Sequence, residues 1–147
     1  MSRLKPLKRE EMSEFEELFI DAEKRGKDVP NLLRILARKP EILKALRELR
    51  RVTIASGSVS KELKNMIAQV ASMSAGCNYC AAHNADFAIE MGISEEKENG
   101  LWDYEKSPLF NEAERAALRI AQGVVQVPNA VTDEDFSSLR EHFSDDQ

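Results

Sequence analysis

The sequence predicts an all-α protein, on three observations. Apolar residues recur at helical spacing along most of the chain. Between those stripes fall capping residues and glycine or proline stops. No alternating strand pattern of useful length occurs, and the best candidate, Val124-Val125-Gln126-Val127, continues a helical stripe. At 147 residues a single domain, 1–147, is expected. A chain of this length buries enough surface to need no metal or disulfide staple.

Each element has its own signal. Met12, Phe15, Leu18, Phe19 and Ala22 mark an amphipathic helix that Gly26 closes. Val29-Pro30-Asn31 opens a short helix through Leu36, and Pro40 suits the first position of the next, which carries Ile42, Leu43, Leu46 and Leu49. Gly57 breaks the chain, with Ser58 and Ser60 as candidate N-caps. Leu63, Met66, Ile67, Val70, Ala71 and Ser74 then form a clear helical stripe, and Gly76 ends it. The following helix runs to about Met91 with Gly92 as its stop. Its small residues Ala81, Ala85 and Ala88 allow close approach of a neighbouring helix, and Cys80, Phe87 and Met91 share its other apolar face. Ser94 starts a short acidic helix leading to Trp102 and Tyr104; these two and Tyr79 read as packing residues. Asn111 with Glu114 makes a capping box for a helix striped by Ala113, Ala116, Ala117, Ile120, Ala121 and Val124. Pro128-Asn129 interrupts, and Thr132 caps a last helix holding Phe136, Leu139 and Phe143. Ser144 followed by Gln147, with two acids between, is a further helix-start signature. A capping box wants a helix after it, so the chain is expected to lack a C-terminal helix and to expose apolar surface that favours self-association.

Charge narrows the function classes. The net charge is −5, from 21 Lys and Arg against 26 Asp and Glu. That argues against a nucleic-acid or anionic-membrane surface. The run Arg47-Glu48-Leu49-Arg50-Arg51 reads as a solvated helix face. Asn65 to Ala85 carries no formal charge, yet its Gln, Ser, Asn and His residues mark a buried segment of a globular protein, not a membrane span. Met1-Ser2-Arg3-Leu4-Lys5-Pro6 lacks the apolar core of a signal peptide, so the expected location is the cytoplasm.

The chemistry concentrates in Cys77-Asn78-Tyr79-Cys80-Ala81-Ala82-His83. It holds both cysteines of the chain and one of its two histidines. At helical spacing Cys77 and Cys80 lie one turn apart, and His83 is offset from Cys80 by about 60°. In a reducing compartment a lone C-x-x-C is more often catalytic or metal-binding than a structural bridge. A free thiol is mostly protonated at neutral pH, and a helix N-terminus, which Gly76 supplies here, favours the thiolate. His83 can carry a proton near neutral pH, and equally reads as a hydrogen-bonded helix histidine. Haem attachment needs histidine directly after the second cysteine, where Ala81 stands. A thioredoxin-like site needs strands. Zinc would have to take Cys77, Cys80 and His83 from one arc of two turns, with no second pair to close the site. No cofactor and no metal are therefore expected.

The stretch Met66 to Gly92, with Gly76-Cys77-Asn78-Tyr79-Cys80 and a histidine soon after, resembles the carboxymuconolactone decarboxylase superfamily, in particular its AhpD-like alkylhydroperoxidase branch. Val29-Pro30-Asn31-Leu32, Ser107-Pro108-Leu109-Phe110 and Phe136 to Phe143 extend the resemblance over residues 28 to 147. It implies an AhpD-like helical bundle that forms homo-oligomers, usually trimers or hexamers. It implies a peroxidase whose cysteine pair cycles between dithiol and disulfide while reducing hydroperoxides, with a thiol reductant of unknown identity. Cys80 would be the peroxidatic cysteine and Cys77 the resolving one, and oxidation would join them. Two positions depart from the pattern. Asn65 stands where the family has a glutamate twelve residues before the first cysteine, leaving Glu62, one turn earlier, as the nearest carboxylate to stand in. Asn84 stands where the family's histidine lies, so His83 comes one place early, about 100° around the helix. The alternatives are a decarboxylase-like protein, although that branch usually lacks the cysteine pair, and a non-catalytic helical oligomer with a redox-sensitive pair.

Overall fold

A computed structural model describes residues 3–147; Met1 and Ser2, the first residues of the segment read for a signal peptide, lie outside them. Every regular element among the described residues is helical. The chain forms two compact units, one ending at Ser56 and the other spanning Gly57–Gln147.

The first unit holds helices α1 (Glu16–Lys24), α2 (Asn31–Leu36) and α3 (Pro40–Thr53). The stripe expected to begin a helix at Met12 instead makes two 3-10 turns, Arg9–Glu11 and Ser13–Phe15. Met12, at φ −126° and ψ 34°, interrupts the helical ladder. The break turns both Met12 and Phe15 into a core with Ala37 and Leu43. Arg9 pairs with Glu16 and Glu23 over this turn, and its guanidinium lies 5.4 Å from the centre of the Phe19 ring. Gly26, at φ 63°, ends α1, and Pro40 occupies the first turn of α3 as expected.

The second unit holds α4 (Lys61–Ser74), α5 (Asn78–Ala88), α6 (Glu95–Asn99), α7 (Glu112–Val124) and α8 (Asp133–Arg140). The 3-10 turns Ile89–Met91 and Leu101–Asp103 follow α5 and α6. The side chains of Ser60, Ser94, Asn111 and Thr132 each accept an amide N–H at a helix start, as their sequence positions foretold. Each such cap stabilises its helix by about 1 kcal/mol. Helix α4 packs along both α5 and α7. Leu63, Met66 and Val70 meet Leu101, Phe110, Leu118 and Ala121 in the core. Each of these larger side chains contributes about 1.5–3 kcal/mol by leaving water. Tyr104 is also buried, and its hydroxyl donates to Gln122 Oε1 at 2.7 Å. Burial first, then the Glu105 carboxylate, pushes that phenol up to about 12. Trp102 departs from its expected packing role: it is 58% exposed.

Gly123, inside α7, is required by the fold. A Cβ there would come 2.9 Å from Val131 Cγ2, on the loop that returns beneath the helix to reach α8. Between α4, α7 and α8 lies an apolar groove of about 540 Å³, lined by Leu63, Ile67, Ile120, Val124, Phe136 and Phe143 among others. No α5 residue lines it, so this large concavity is not the cysteine site.

Candidate functional site

The site is built on the junction between α4 and α5. Gly76, at φ 68°, stands where only a glycine is relaxed, and its N–H donates to the Met73 carbonyl at 3.0 Å. The next N–H, of Cys77, donates to the Ser72 carbonyl at 2.8 Å. Together these bonds make a Schellman motif, which satisfies the last carbonyls of α4. The chain passes at once into α5, where Cys77 is the N-cap and Cys80 belongs to the first turn. The Cys80 N–H donates to Cys77 Sγ at 3.4 Å, so the sulfur takes the place of a capping oxygen. Cys77 and Cys80 form a disulfide across a Cα–Cα distance of 5.4 Å, within the usual range. Both are half-buried.

His83 lies one turn beyond Cys80 on the same helix, where neighbouring side chains meet. Its ring lies parallel to Tyr79 within 8°, with centroids 6.1 Å apart. Phe87 meets it edge-on, at 77° and 4.9 Å.

Behind the pair, buried amides tie α4 to α5. Asn65 Nδ2 donates to the Asn84 carbonyl at 3.2 Å, and Asn84 Nδ2 donates to Ser72 Oγ at 3.4 Å. Gln69 Nε2 donates to Glu98 on α6. Asn65 and Gln69 are 6% and 5% exposed, unusual for polar residues. The two positions where a family acid and histidine were missing thus carry neutral amides that bond each other's elements. The sequence showed these residues but not their contact, because amides on a helix carry no signal of what they face.

Glu62 is not brought to this site. Its side chain lies beside Gly92, at the far end of α5 and its 3-10 extension, twelve residues and roughly 18 Å from Cys80. It is exposed in the first turn of α4, where hydrogen bonds from its own backbone and from Ser60 hold its carboxyl below the ordinary carboxylate range. The structure therefore joins Cys77, Cys80 and His83 and leaves Glu62 apart. Among the described residues no group of three or more His, Cys, Asp and Glu side chains converges on a metal-sized point. No described helix is long and apolar enough to cross a membrane.

Comparison with known proteins agrees with this architecture. Residues 40–123 match the carboxymuconolactone decarboxylase family. The chain belongs to that family. The structure of the debrominase Bmp8 superposes on 99% of this chain and 78% of its own, with a TM-score of 0.87 and 29% identity. A variant of the same debrominase, in complex with 2,3,4-tribromopyrrole, gives a TM-score of 0.88 at 28% identity. An uncharacterized peroxidase-related protein from Silicibacter sp. TM1040 covers 97% of this chain and 73% of its own, with a TM-score of 0.77 and 26% identity. ATU0492 of Agrobacterium tumefaciens, a candidate antioxidant defence protein AhpD, covers 76% of each chain, with a TM-score of 0.66 and 29% identity. The expected all-α, AhpD-like fold is thus the observed one.

Proposed function

We propose that this protein is a dithiol reductase of the AhpD-like type that reduces hydroperoxides with Cys77 and Cys80. The carrying observation is the pair itself. Two half-exposed cysteines close a bond on the first turn of a helix, with one sulfur already accepting an amide N–H. That amide and the helix N-terminus stabilise negative charge on Cys77, and His83 sits one turn from Cys80.

In the reaction, the Cys80 thiol gives its proton to His83 and its sulfur attacks the hydroperoxide. The O–O bond breaks, Cys80 becomes a sulfenic acid, and the alcohol leaves with the proton returned by His83. The Cys77 thiol then gives its proton to His83 and its sulfur attacks the Cys80 sulfur; the S–O bond breaks, the disulfide forms, and the hydroxide leaves as water with the proton returned by His83. Overall one hydroperoxide and two thiols give one alcohol, one water and one disulfide. An external thiol reductant restores the pair, which suits a reducing cytoplasm.

A second reading is reductive dehalogenation of a bromoaromatic. It is favoured by the overlay on a debrominase across nearly the whole chain and by the aromatic rings beside Cys80. There the same two electrons replace a ring bromine by hydrogen. Two thiols become a disulfide, and bromide and one proton are released.

One experiment separates the two. Fully reduced protein is mixed with cumene hydroperoxide or with 2,3,4-tribromopyrrole, and disulfide formation is followed by intact mass. The peroxidase reading expects rapid loss of two hydrogens with the hydroperoxide and a slow response to the pyrrole. Cys77→Ala should stop at a single added oxygen on Cys80. A protein that oxidises only with the pyrrole is a dehalogenase, and one that ignores both has neither activity.

A further inference from the structure

Three rings stand in file along α5. Tyr79, His83 and Phe87 are spaced at i, i+4 and i+8, which puts them on one face. Spacing alone makes neighbours; it does not set ring angles. The imidazole lies flat against Tyr79, tilted by 8°, and Phe87 closes on it nearly at right angles. Offset-parallel and edge-to-face are the two arrangements that aromatic quadrupoles favour at these separations. The last torsion of a histidine side chain is otherwise broad, so an unclasped imidazole sweeps a wide arc. Cys80 borders this file: it follows Tyr79 in sequence and precedes His83 by one turn.

We infer that Tyr79 and Phe87 are positioning residues that clasp the His83 imidazole at the angle from which it exchanges a proton with Cys80. This rests on His83 being the proton carrier for Cys80. In that step the Cys80 S–H bond breaks and a ring N–H bond forms; the reverse transfer delivers the proton to the departing oxygen. Each transfer needs a ring nitrogen aimed at a small moving target, and a misaimed base loses rate although its chemistry is intact. The clasp uses the rings alone, one parallel and one edge-on, and none of their substituents. The Tyr79 side chain, 53% exposed, therefore does not need its hydroxyl for this role. A phenylalanine there keeps the clasp and a leucine does not.

The test uses the full reduced chain. It has two histidines, so the imidazole Cε1–H region of the NMR spectrum contains two signals, and His142→Gln identifies that of His83. Ring currents from Tyr79 and Phe87 should displace the His83 signal in the parent protein. Tyr79→Leu and Phe87→Leu should move it toward the value of a free imidazole, whereas Tyr79→Phe should hold it. In parallel, iodoacetamide is added at neutral pH and modification of Cys80 is timed by peptide mass. Both leucine variants should react about tenfold more slowly, and Tyr79→Phe should recover the parent rate. That recovery separates aim from folding. An unmoved His83 signal in Tyr79→Leu overturns the clasp. A displaced signal with an unchanged Cys80 rate overturns its role in positioning. His83→Gln reacting at the parent rate would overturn the proton-carrier reading itself, a result the ring shifts in the other variants would not mimic.

Discussion

Helices α4 and α5 are joined by three residues, yet they are built on opposite plans. Helix α4 buries Leu63, Asn65, Met66, Gln69 and Val70. Helix α5, which carries the cysteines, buries Ala88 alone. One helix is scaffold; the other holds the cysteine pair at a half-buried surface. The difference explains how a cysteine pair can be reachable without being loose. Its helix is fixed by the neighbour's burial and by the amide bonds from Asn65 and Asn84 rather than by its own. Reactive residues need access, and a helix that gives access cannot supply much packing energy of its own.

Substitutions can break this division of labour. The largest effect on activity is expected at Cys80→Ala, which should remove turnover with hydroperoxide entirely while the far-ultraviolet spectrum and melting profile stay close to the parent. Residual turnover above the buffer rate would move the chemistry elsewhere. The largest effect on stability is expected on the other helix. Met66→Ala, at a site 1% exposed, should cost about 2–5 kcal/mol in urea unfolding. Ala82→Ser on the exposed face of α5 should stay within about 0.5 kcal/mol. Equal losses at the two sites would erase the distinction between scaffold and reactive helix.

A smaller, graded effect is expected in acid. Glu62 is held low by hydrogen bonds at the start of α4, Glu105 by its hydrogen bonds to Arg119, and Asp135 by the Thr132 cap. All three have ordinary values of 4.5, 4.5 and 3.8, and all three are lower in the folded chain. Their contribution is therefore complete above those ordinary values and is withdrawn as pH falls through the depressed ones. The melting temperature should hold from neutral pH down to about pH 5 and decline below it. A flat profile down to about pH 3 would show that these carboxylates do not stabilise the fold. The smallest effect is expected at Glu62→Gln, which should leave peroxide turnover unchanged, because that side chain lies at the other end of α5. A clear loss of rate would bring Glu62 back into the mechanism.

How much of this was legible in the sequence depends on the kind of signal. Helix starts and stops were, because Ser60, Ser94, Asn111, Thr132, Gly76 and Gly92 act through their own backbone neighbourhood, and local chemistry is written locally. The cysteine pair was legible for the same reason. The 3-10 turns around Met12 were not, since an apolar stripe gives the face of a helix but not where its ladder breaks. Trp102 was misjudged because large aromatic residues are usually buried, and nothing in one sequence marks an exception. Glu62 lies near residue 65 along α4, but proximity in sequence says nothing about where α5 ends, and its side chain lies beside Gly92. The file of Tyr79, His83 and Phe87 could have been found from its i, i+4 spacing, but its ring angles could not.

Cys77 joins two helices with two different parts of itself. Its backbone N–H closes α4 on the Ser72 carbonyl, while its sulfur opens α5 by receiving the Cys80 N–H. The two duties make opposite demands on inheritance. Any residue but proline could donate the backbone bond, so the side chain is free to be exchanged without disturbing α4. The number of residues is not free. One added between Gly76 and Cys77 would displace the donor from Ser72 and carry the sulfur off the first turn of α5 in a single event. The length of this segment should accordingly be constrained even at positions whose side chains are not, with insertions and deletions accumulating in loops elsewhere.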